Sequence, residues 1–199
     1  MINVFFFKTK KMKKLLVILF SLVTFVGCNK NQCLISGKVN DENLNGKLIF
    51  LVPVFNSDSL GVDSVVIKNN KFQFECNKEY LADIRIDYHY RFNKENLLVI
   101  TEPGEVKVVI DSVSCGNGTP QNDSLQFWKE LIMKKNIDLE NYQRDFLFYK
   151  DRGDTLMAEI SRRNMEIINA QFYKRTKALA ENMKSGTLYD FLIQRIPKD

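Results

Sequence analysis

The chain has 199 residues, of which 45% are hydrophobic, 12% aromatic and 27% charged. This is the composition of an ordinary globular protein, and it excludes intrinsically disordered, collagen-like and polytopic membrane classes. The net charge of +5 comes from five lysines within residues 1–27, which hold no acidic residue, and the remaining chain has 24 basic and 24 acidic residues. A nucleic-acid-binding role therefore lacks its electrostatic signature.

Residues 1–27 have the pattern of an export signal. A lysine-rich stretch precedes thirteen uncharged residues that end at Gly27, whereas a membrane-spanning helix needs roughly 20 apolar residues. The segment closes with Phe25-Val26-Gly27-Cys28, which resembles the bacterial lipobox. The resemblance implies that residues 1–27 are removed, that Cys28 is lipidated and that residues 28–32 form a lipid-anchored tether. A plain signal peptide or an uncleaved anchor is the alternative.

Residues 33–113 are predicted to form an antiparallel β domain. Seven segments rich in Val, Ile, Phe and Tyr are separated by turn signals, among them Asn45-Gly46, which suits a tight primed turn, and Asn69-Asn70. Apolar and polar residues alternate from Ile84 to Phe92, which indicates a sheet with one face in water. The pattern favours a β-sandwich or a small open barrel within an α+β fold. The predicted strands are Leu34–Val39, Lys47–Phe55, Val62–Lys68, Lys71–Cys76, Ala82–Phe92, Leu97–Thr101 and Val106–Asp111.

The pattern changes to helical spacing in the last third of the chain. Residues 114–122 are predicted to be a loop, with Asn122 or Asp123 as the cap of the helix that follows. Residues 123–199 are predicted to form an antiparallel helical hairpin and a shorter third helix over residues 187–196.

Two apolar stripes define the predicted hairpin. Phe127, Leu147 and Ile167 flank these stripes, so one helix packed on the other leaves them uncovered. Exposing several such side chains costs roughly 1.5–3 kcal/mol each, and we therefore expect the helices to pack on the sheet or on a partner. The first stripe is Leu125, Trp128, Ile132, Leu139, Tyr142, Phe146 and Tyr149; the second is Met157, Met165, Ile168, Phe172, Leu179 and Met183.

No combination of residues in the sequence predicts catalysis. The single histidine, His89, lies on the polar face of a predicted strand, where a solvated side chain is the favoured interpretation over a catalytic one. The chain has no Gly-x-Ser-x-Gly motif and no Gly-x-Gly-x-x-Gly or Walker-type phosphate loop. We therefore predict no catalytic residue, no cofactor, no metal site and no enzymatic activity.

Three cysteines remain once Cys28 is lipidated. They are Cys33, Cys76 and Cys115, and their spacing contains no Cys-x-x-Cys motif of redox or zinc sites. An exported compartment permits disulfides, and three cysteines allow at most one internal bridge. Cys33 begins the first predicted strand and Cys76 ends the fourth, so these two are the favoured pair. Three reduced, buried thiols are the alternative.

The order of short local elements resembles a domain of unknown function from cell-envelope proteins of Bacteroidetes. In that family the domain usually precedes a TlpA-like thioredoxin or peroxiredoxin domain, whose Trp-Cys-x-x-Cys motif this chain lacks, so no residue inherits an oxidoreductase role. The resemblance covers roughly residues 33–125 and is weak in the helical part. It is carried by Ile35-Ser36-Gly37, Asn45-Gly46-Lys47, Asp63-Ser64, Lys71-Phe72-Gln73-Phe74, Glu102-Pro103-Gly104, Val106-Lys107-Val108 and Gly118-Thr119 with Asn122.

Two functional hypotheses follow. The leading one is a lipid-anchored module of the cell envelope without catalytic activity, which binds a protein or ligand. The alternative is the amino-terminal part of a thiol-disulfide oxidoreductase whose thioredoxin-like domain is lost or lies on a separate chain. Residues 29–32 lack the acidic cluster of surface-displayed lipoproteins of that group, which favours the outer membrane facing the periplasm. The expected partners are the membrane, through the lipid on Cys28, and a protein that is either thioredoxin-like or a second copy.

Overall fold

A computed structural model of the chain describes residues 32–55, 57–86 and 97–197. The predicted signal peptide, Cys28 and His89 lie outside these residues, and the described residues form one compact unit. The strands are β1 (Cys33–Val39), β2 (Leu48–Pro53), β3 (Asp63–Val66), β4 (Lys71–Cys76), β5 (Leu81–Ile86), β6 (Leu97–Ile100), β7 (Gly104–Ile110) and β8 (Cys115–Asn117). The helices are α1 (Ser57–Leu60), α2 (Pro120–Asp151), α3 (Thr155–Met183) and α4 (Thr187–Ile193), with a 3₁₀ turn at Glu42–Leu44.

The described strands form two four-stranded sheets. One has the order β4-β1-β7-β8 and the other β3-β2-β5-β6. The α+β prediction of a β-sandwich or small open barrel followed by helices is confirmed, and the described strands form two separate sheets that do not close into a barrel. One pairing departs from the antiparallel prediction, because β1 and β7 run parallel. The whole second sheet lies between them in the chain, which gives the long crossover that a parallel pair needs.

The turns follow the sequence prediction in one case and depart from it in another. Asn69 and Asn70 both have positive φ, 51° and 60°, as the predicted primed turn requires. Asn45 instead has an extended backbone, with φ −60° and ψ 135°, and only Gly46 has positive φ. The reason is a tertiary contact, since the Asn45 Oδ1 accepts a hydrogen bond from the backbone N–H of Asn70 at 2.8 Å.

The main core lies between the two sheets. Strand β4 shows the alternation that predicts it, because Phe72, Phe74 and Cys76 are buried and the residues between them are exposed. Phe72 stands opposite Gly37 on β1, and its ring occupies the space that a Gly37 side chain would fill. Other buried members of this core are Ile35, Val39, Ile49, Leu51, Ile67, Ile84, Leu97, Val99, Val106, Val108 and Ile110.

A second core joins the base of the helical hairpin to the sandwich. It takes residues of α2 only as far as Ile132 and residues of α3 only from Phe172 onward. The distal parts of α2 and α3 belong to neither core, and among the described residues they pack on each other. The prediction that the helices pack on the sheet therefore applies to their base. The buried members of this core are Leu81, Ile100, Leu125, Trp128, Ala180, Leu188, Phe191 and Leu192.

The segment between the sheets and α2 differs from the predicted loop over residues 114–122. It contains strand β8, which pairs with β7, and α2 already begins at Pro120. Proline is favoured at the first helical position because its missing N–H has no partner there. The N-cap is accordingly Thr119, and the predicted cap Asn122 lies inside the helix with its side chain bonded to β6.

Candidate functional site

Helix α2 covers the sandwich where the edge strands β6 and β8 lie side by side. Asn122 bonds both backbone groups of Ile100 on β6, accepting from its N–H at 2.9 Å and donating to its carbonyl at 2.7 Å. Gln126 accepts from the N–H of Gly116 on β8 at 3.2 Å. The edge groups that an uncovered sheet would present to solvent are thus partnered by helix side chains. This docking fixes the direction in which α2 leaves the sandwich.

Two glutamates accept hydrogen bonds from the first turns of α2 and α4 at one junction with the sandwich. Glu102 accepts hydrogen bonds from the backbone N–H groups of Gln121 at 2.7 Å and Asn122 at 3.1 Å, in the first turn of α2. A carboxylate there is stabilised by the free N–H groups and by the helix dipole. Glu79 accepts from the Gln121 side chain at 2.8 Å and from the Thr187 hydroxyl at 2.7 Å, which ties α4 to the same junction.

A groove opens where α2 passes the end of the sandwich. Its volume is ≈ 770 Å³. Its walls are β6, the segment before β8 and the second to sixth turns of α2. The apolar walls include Leu97, Val113, Met133 and Ile137. Lys129 places its Nζ here, 3.4 Å from the Leu98 carbonyl.

Lys129 places a half-buried ammonium group in the groove. Burial lowers the pKa of its ammonium group to about 8, against the opposing effects of Cys115 and Glu130. Removal from water disfavours the charged form of an amine. An acidic group brought into the groove would raise this pKa again and be attracted by the ammonium group.

An exposed apolar surface continues from the groove along α2. We call it the outer stripe, and it lies on the side of α2 that faces away from α3. Its four apolar members each expose between 46% and 54% of their surface. Glu140 and Arg144 lie between them on the same face, which follows from their spacing of three and four residues. The outer stripe comprises Met133, Ile137, Glu140, Arg144, Leu147 and Phe148.

The other helix of the hairpin carries a shorter exposed stripe bordered by charge. Leu156 is 69% exposed and Ile160 and Ile167 lie on the same side. Glu159 accepts hydrogen bonds from Arg162 at 2.7 Å and from Arg163 at 2.9 Å. These bonds lower the pKa of the Glu159 carboxyl to about 2. The outward face of α3 is therefore more strongly charged than the outer stripe of α2.

The structure brings two of the predicted site residues together. Cys33 and Cys76 are opposite one another in the register of β1 and β4, and both are buried thiols. Cys115 is half-buried on β8. Within residues 32–55, 57–86 and 97–197, no group of three His, Cys, Asp or Glu side chains is placed to bind a metal. No helix in that part of the chain is both long and apolar enough to cross a membrane.

With the geometry known, comparison with known proteins identifies part of the chain. Residues 33–125 match the model of a domain of unknown function, DUF4369. The resemblance seen in the sequence is confirmed to that extent, and the bacterial group, the lipid anchor and the thioredoxin association stay predictions. The matched region spans the sandwich and ends at Leu125, within the docked part of α2. No curated protein and no solved structure matches the chain.

The sequence did not predict the groove or the outer stripe. The sequence predicts Asn122 only as a candidate helix cap and predicts no role for Gln126 or Lys129, although their four- and three-residue spacing places all three on one face of α2. A sequence signal does exist for part of the outer stripe. Leu147 lies off the main apolar stripe of α2, and it was expected to need a further surface.

Proposed function

We propose that this protein is a lipid-anchored, non-catalytic module of the cell envelope that binds a protein through the outer stripe. The exposed outer stripe is the observation that carries the proposal. It continues directly from the groove in which the half-buried side chain of Lys129 lies. Large apolar side chains are worth roughly 1.5–3 kcal/mol each when they are covered, and contiguous exposed apolar surface is typical of interaction sites.

The partner that fits best is a second copy of this chain, packed antiparallel. The members of the outer stripe recur at the three- and four-residue spacing of a coiled-coil seam. An antiparallel pair centred on Tyr142 sets Glu140 of each copy against Arg144 of the other. The same register sets Ile137 against Leu147. One surface thus pairs opposite charges with each other and apolar residues with each other, as a two-fold interface requires.

The groove provides a second complementary contact in this arrangement. The turn between α2 and α3, residues 152–154, would lie beside the partner's groove, and the nearby acids are Asp151 at the end of α2 and Asp154 in the turn. Both carboxylates are exposed, and the groove holds Lys129. These carboxylates would favour the charged form of the lysine and offset the effect of its burial. Two hairpins so packed form a four-helix arrangement with an apolar seam.

Charge reversal tests the interface. In the full chain with Cys28→Ser, which removes the anchor, size-exclusion chromatography with light scattering should report a dimer. Glu140→Arg alone, or Arg144→Glu alone, sets like charges against one another and should give monomers. The double variant restores opposite charges and should recover the dimer. Asp145→Arg, an exposed site on the same helix but off the outer stripe, is the matched control.

A monomeric parent chain, or single reversals that leave the dimer intact, would overturn the self-pairing. A monomer that binds a thioredoxin-like domain through the outer stripe would instead support the alternative function. In that case the charge reversals should weaken this binding and the double variant should not rescue it. The two functions therefore give different results for the same set of variants.

Anchoring depends on Cys28 in this proposal. Metabolic labelling with a palmitate analogue should mark the wild-type chain and not Cys28→Ser, because the lipid is carried on that thiol. An amino-terminal lipid with several acyl chains binds firmly, whereas a single chain gives only marginal membrane binding. An unlabelled wild type would contradict the anchor. Protease treatment of intact cells should leave the protein uncut if it faces the periplasm.

A further inference from the structure

Cys33 and Cys76 face one another across two adjacent antiparallel strands. The register of β1 and β4 pairs them directly, six residues from the pair formed by Val39 and Asn70. The Val39 N–H donates to the Asn70 carbonyl at 2.9 Å. Because bonded and non-bonded pairs alternate along such a ladder, Cys33 and Cys76 form a hydrogen-bonded pair with Cα atoms about 5.5 Å apart. Disulfides span about 4.4–6.8 Å between Cα atoms.

Both side chains point into the same core. Every second residue of β1 and of β4 is buried, and the two cysteines belong to the buried set. Cys33 is 1% exposed and Cys76 is 7% exposed. Their neighbours in the ladder, Ile35 and Phe74, are likewise paired in the core. The two sulfur atoms therefore start from the same side of the sheet, as a bridge requires.

A surface cleft leads to one of the two thiols. It has a volume of ≈ 420 Å³ and lies between the residues that lead into β3 and the turn that follows β4. Cys76 lines this cleft together with Tyr80, whose hydroxyl is 4.0 Å from the Cys76 Sγ. Cys33 does not line it. A reagent that enters the cleft therefore reaches Cys76 first and Cys33 only through it.

We propose that Cys33 and Cys76 form a reversible cross-strand disulfide, made by exchange with an external disulfide. The Cys76 thiolate attacks one sulfur of the external disulfide and releases its other sulfur as a thiolate. The Cys33 thiolate then attacks the Cys76 Sγ and releases the second external thiolate. The protein loses two protons and two electrons, and the external disulfide is reduced to two thiols. The bridge does not depend on the outer stripe or on its partner.

The environment of the pair sets the rate of this exchange. Burial is the largest cause that raises the pKa of both thiols, that of Cys33 to about 12. Only the thiolate attacks a disulfide, so exchange is slow at neutral pH and accelerates in alkali.

Mass mapping tests the proposal. The full chain with Cys28→Ser is incubated with glutathione disulfide, its remaining thiols are alkylated after unfolding, and it is digested without reduction. We expect a peptide that joins Cys33 to Cys76, a mass lower by two hydrogen atoms, and an alkylated Cys115. Addition of dithiothreitol should return three alkylated cysteines.

Further variants separate the bridge from a general effect on folding. Cys115→Ser should still close the bridge, whereas Cys76→Ser should leave Cys33 alkylated. If Cys76→Ser does not fold, the wild-type map still decides the question. Three alkylated cysteines after prolonged oxidation at alkaline pH, or a bridge that includes Cys115, would overturn the proposal.

Discussion

Replacement of Asn122 by alanine should weaken the attachment of the helices to the sandwich. This side chain is almost completely buried and makes three hydrogen bonds. Two of them satisfy the N–H and the carbonyl of Ile100, and the third, at 2.8 Å, goes to the Thr119 hydroxyl that precedes the helix. Alanine removes all three bonds at once and supplies no replacement.

The loss of stability follows from the two backbone groups of Ile100 that lose their hydrogen-bond partner. Ile100 is fully buried, so its two backbone groups lose their partners in a place that excludes water. Each unpaired buried group costs about 1–3 kcal/mol. The variant no longer has to bury the amide itself, which offsets part of this cost. We expect the free energy of unfolding to fall by about 3 kcal/mol, or the Tm by about 6–12 °C in a domain of this length.

The measurement is urea denaturation followed by circular dichroism, with Asp123→Ala as the matched control. Asp123 is the next residue, is exposed, and makes one hydrogen bond from the Gly118 N–H at 2.8 Å. Its loss should cost about 0.5–1.5 kcal/mol. If Asn122→Ala is no more destabilising than the control, the edge bonds do not hold the helix and the reasoning fails.

Three other predictions concern the sheet, the groove and the thiol pair. Gly37→Ala should lower the free energy of unfolding by about 1–3 kcal/mol, because its Cβ would lie 1.9 Å from the Phe72 Cζ. Adding Phe72→Leu should recover part of this loss. If the free-energy changes of the two substitutions simply add, the contact is contradicted. Burial lowers the pKa of Lys129 to about 8, against about 10.4 in the unfolded chain, so between these two pH values the unfolded state binds the proton and the folded state does not. The free energy of unfolding, taken relative to that of Lys129→Met, should therefore rise with pH across this range. Urea titrations that show no change in this difference with pH would refute the prediction. A closed bridge between Cys33 and Cys76 encloses a loop of roughly 40 residues, so the oxidised chain should exceed the reduced chain by about 4 kcal/mol in stability, measured by thermal melting; equal Tm values would contradict the estimate.

Regular alternation is the part of the fold that can be predicted from the sequence. Strand β4 has the predicted bounds, Lys71–Cys76, because three apolar residues alternate with three polar ones and one face alone is buried. The two long helices can be predicted likewise, because their apolar residues recur at a spacing of three and four. These features are local, so a short stretch of sequence contains the whole signal.

The parts that could not be predicted depend on contacts distant in sequence. Strand β8, Cys115–Asn117, has the composition of a turn, and it is extended because β7 and Gln126 bond its backbone. The parallel pairing of β1 with β7 has no local signal at all. Asn122 looks like a helix cap, and only the position of Ile100 shows why an amide is needed there. The groove is likewise formed by segments that meet only in the fold.

The place where the chain enters the sandwich has a consequence for how an anchored dimer would lie. The Gly104 N–H donates to the Gln32 carbonyl at 3.1 Å, and Gly104 is packed against Thr119, directly before α2. In the proposed anchored protein the tether would therefore enter the sandwich where α2 begins, and the turn between α2 and α3 is about 48 Å away along the helix. In an antiparallel pair centred on Tyr142, the two points of entry are about 65 Å apart at opposite ends. A tether of a few residues reaches only about 15 Å, so two lipids in one leaflet would hold the long axis of the pair parallel to the bilayer, with each sandwich close to the headgroups.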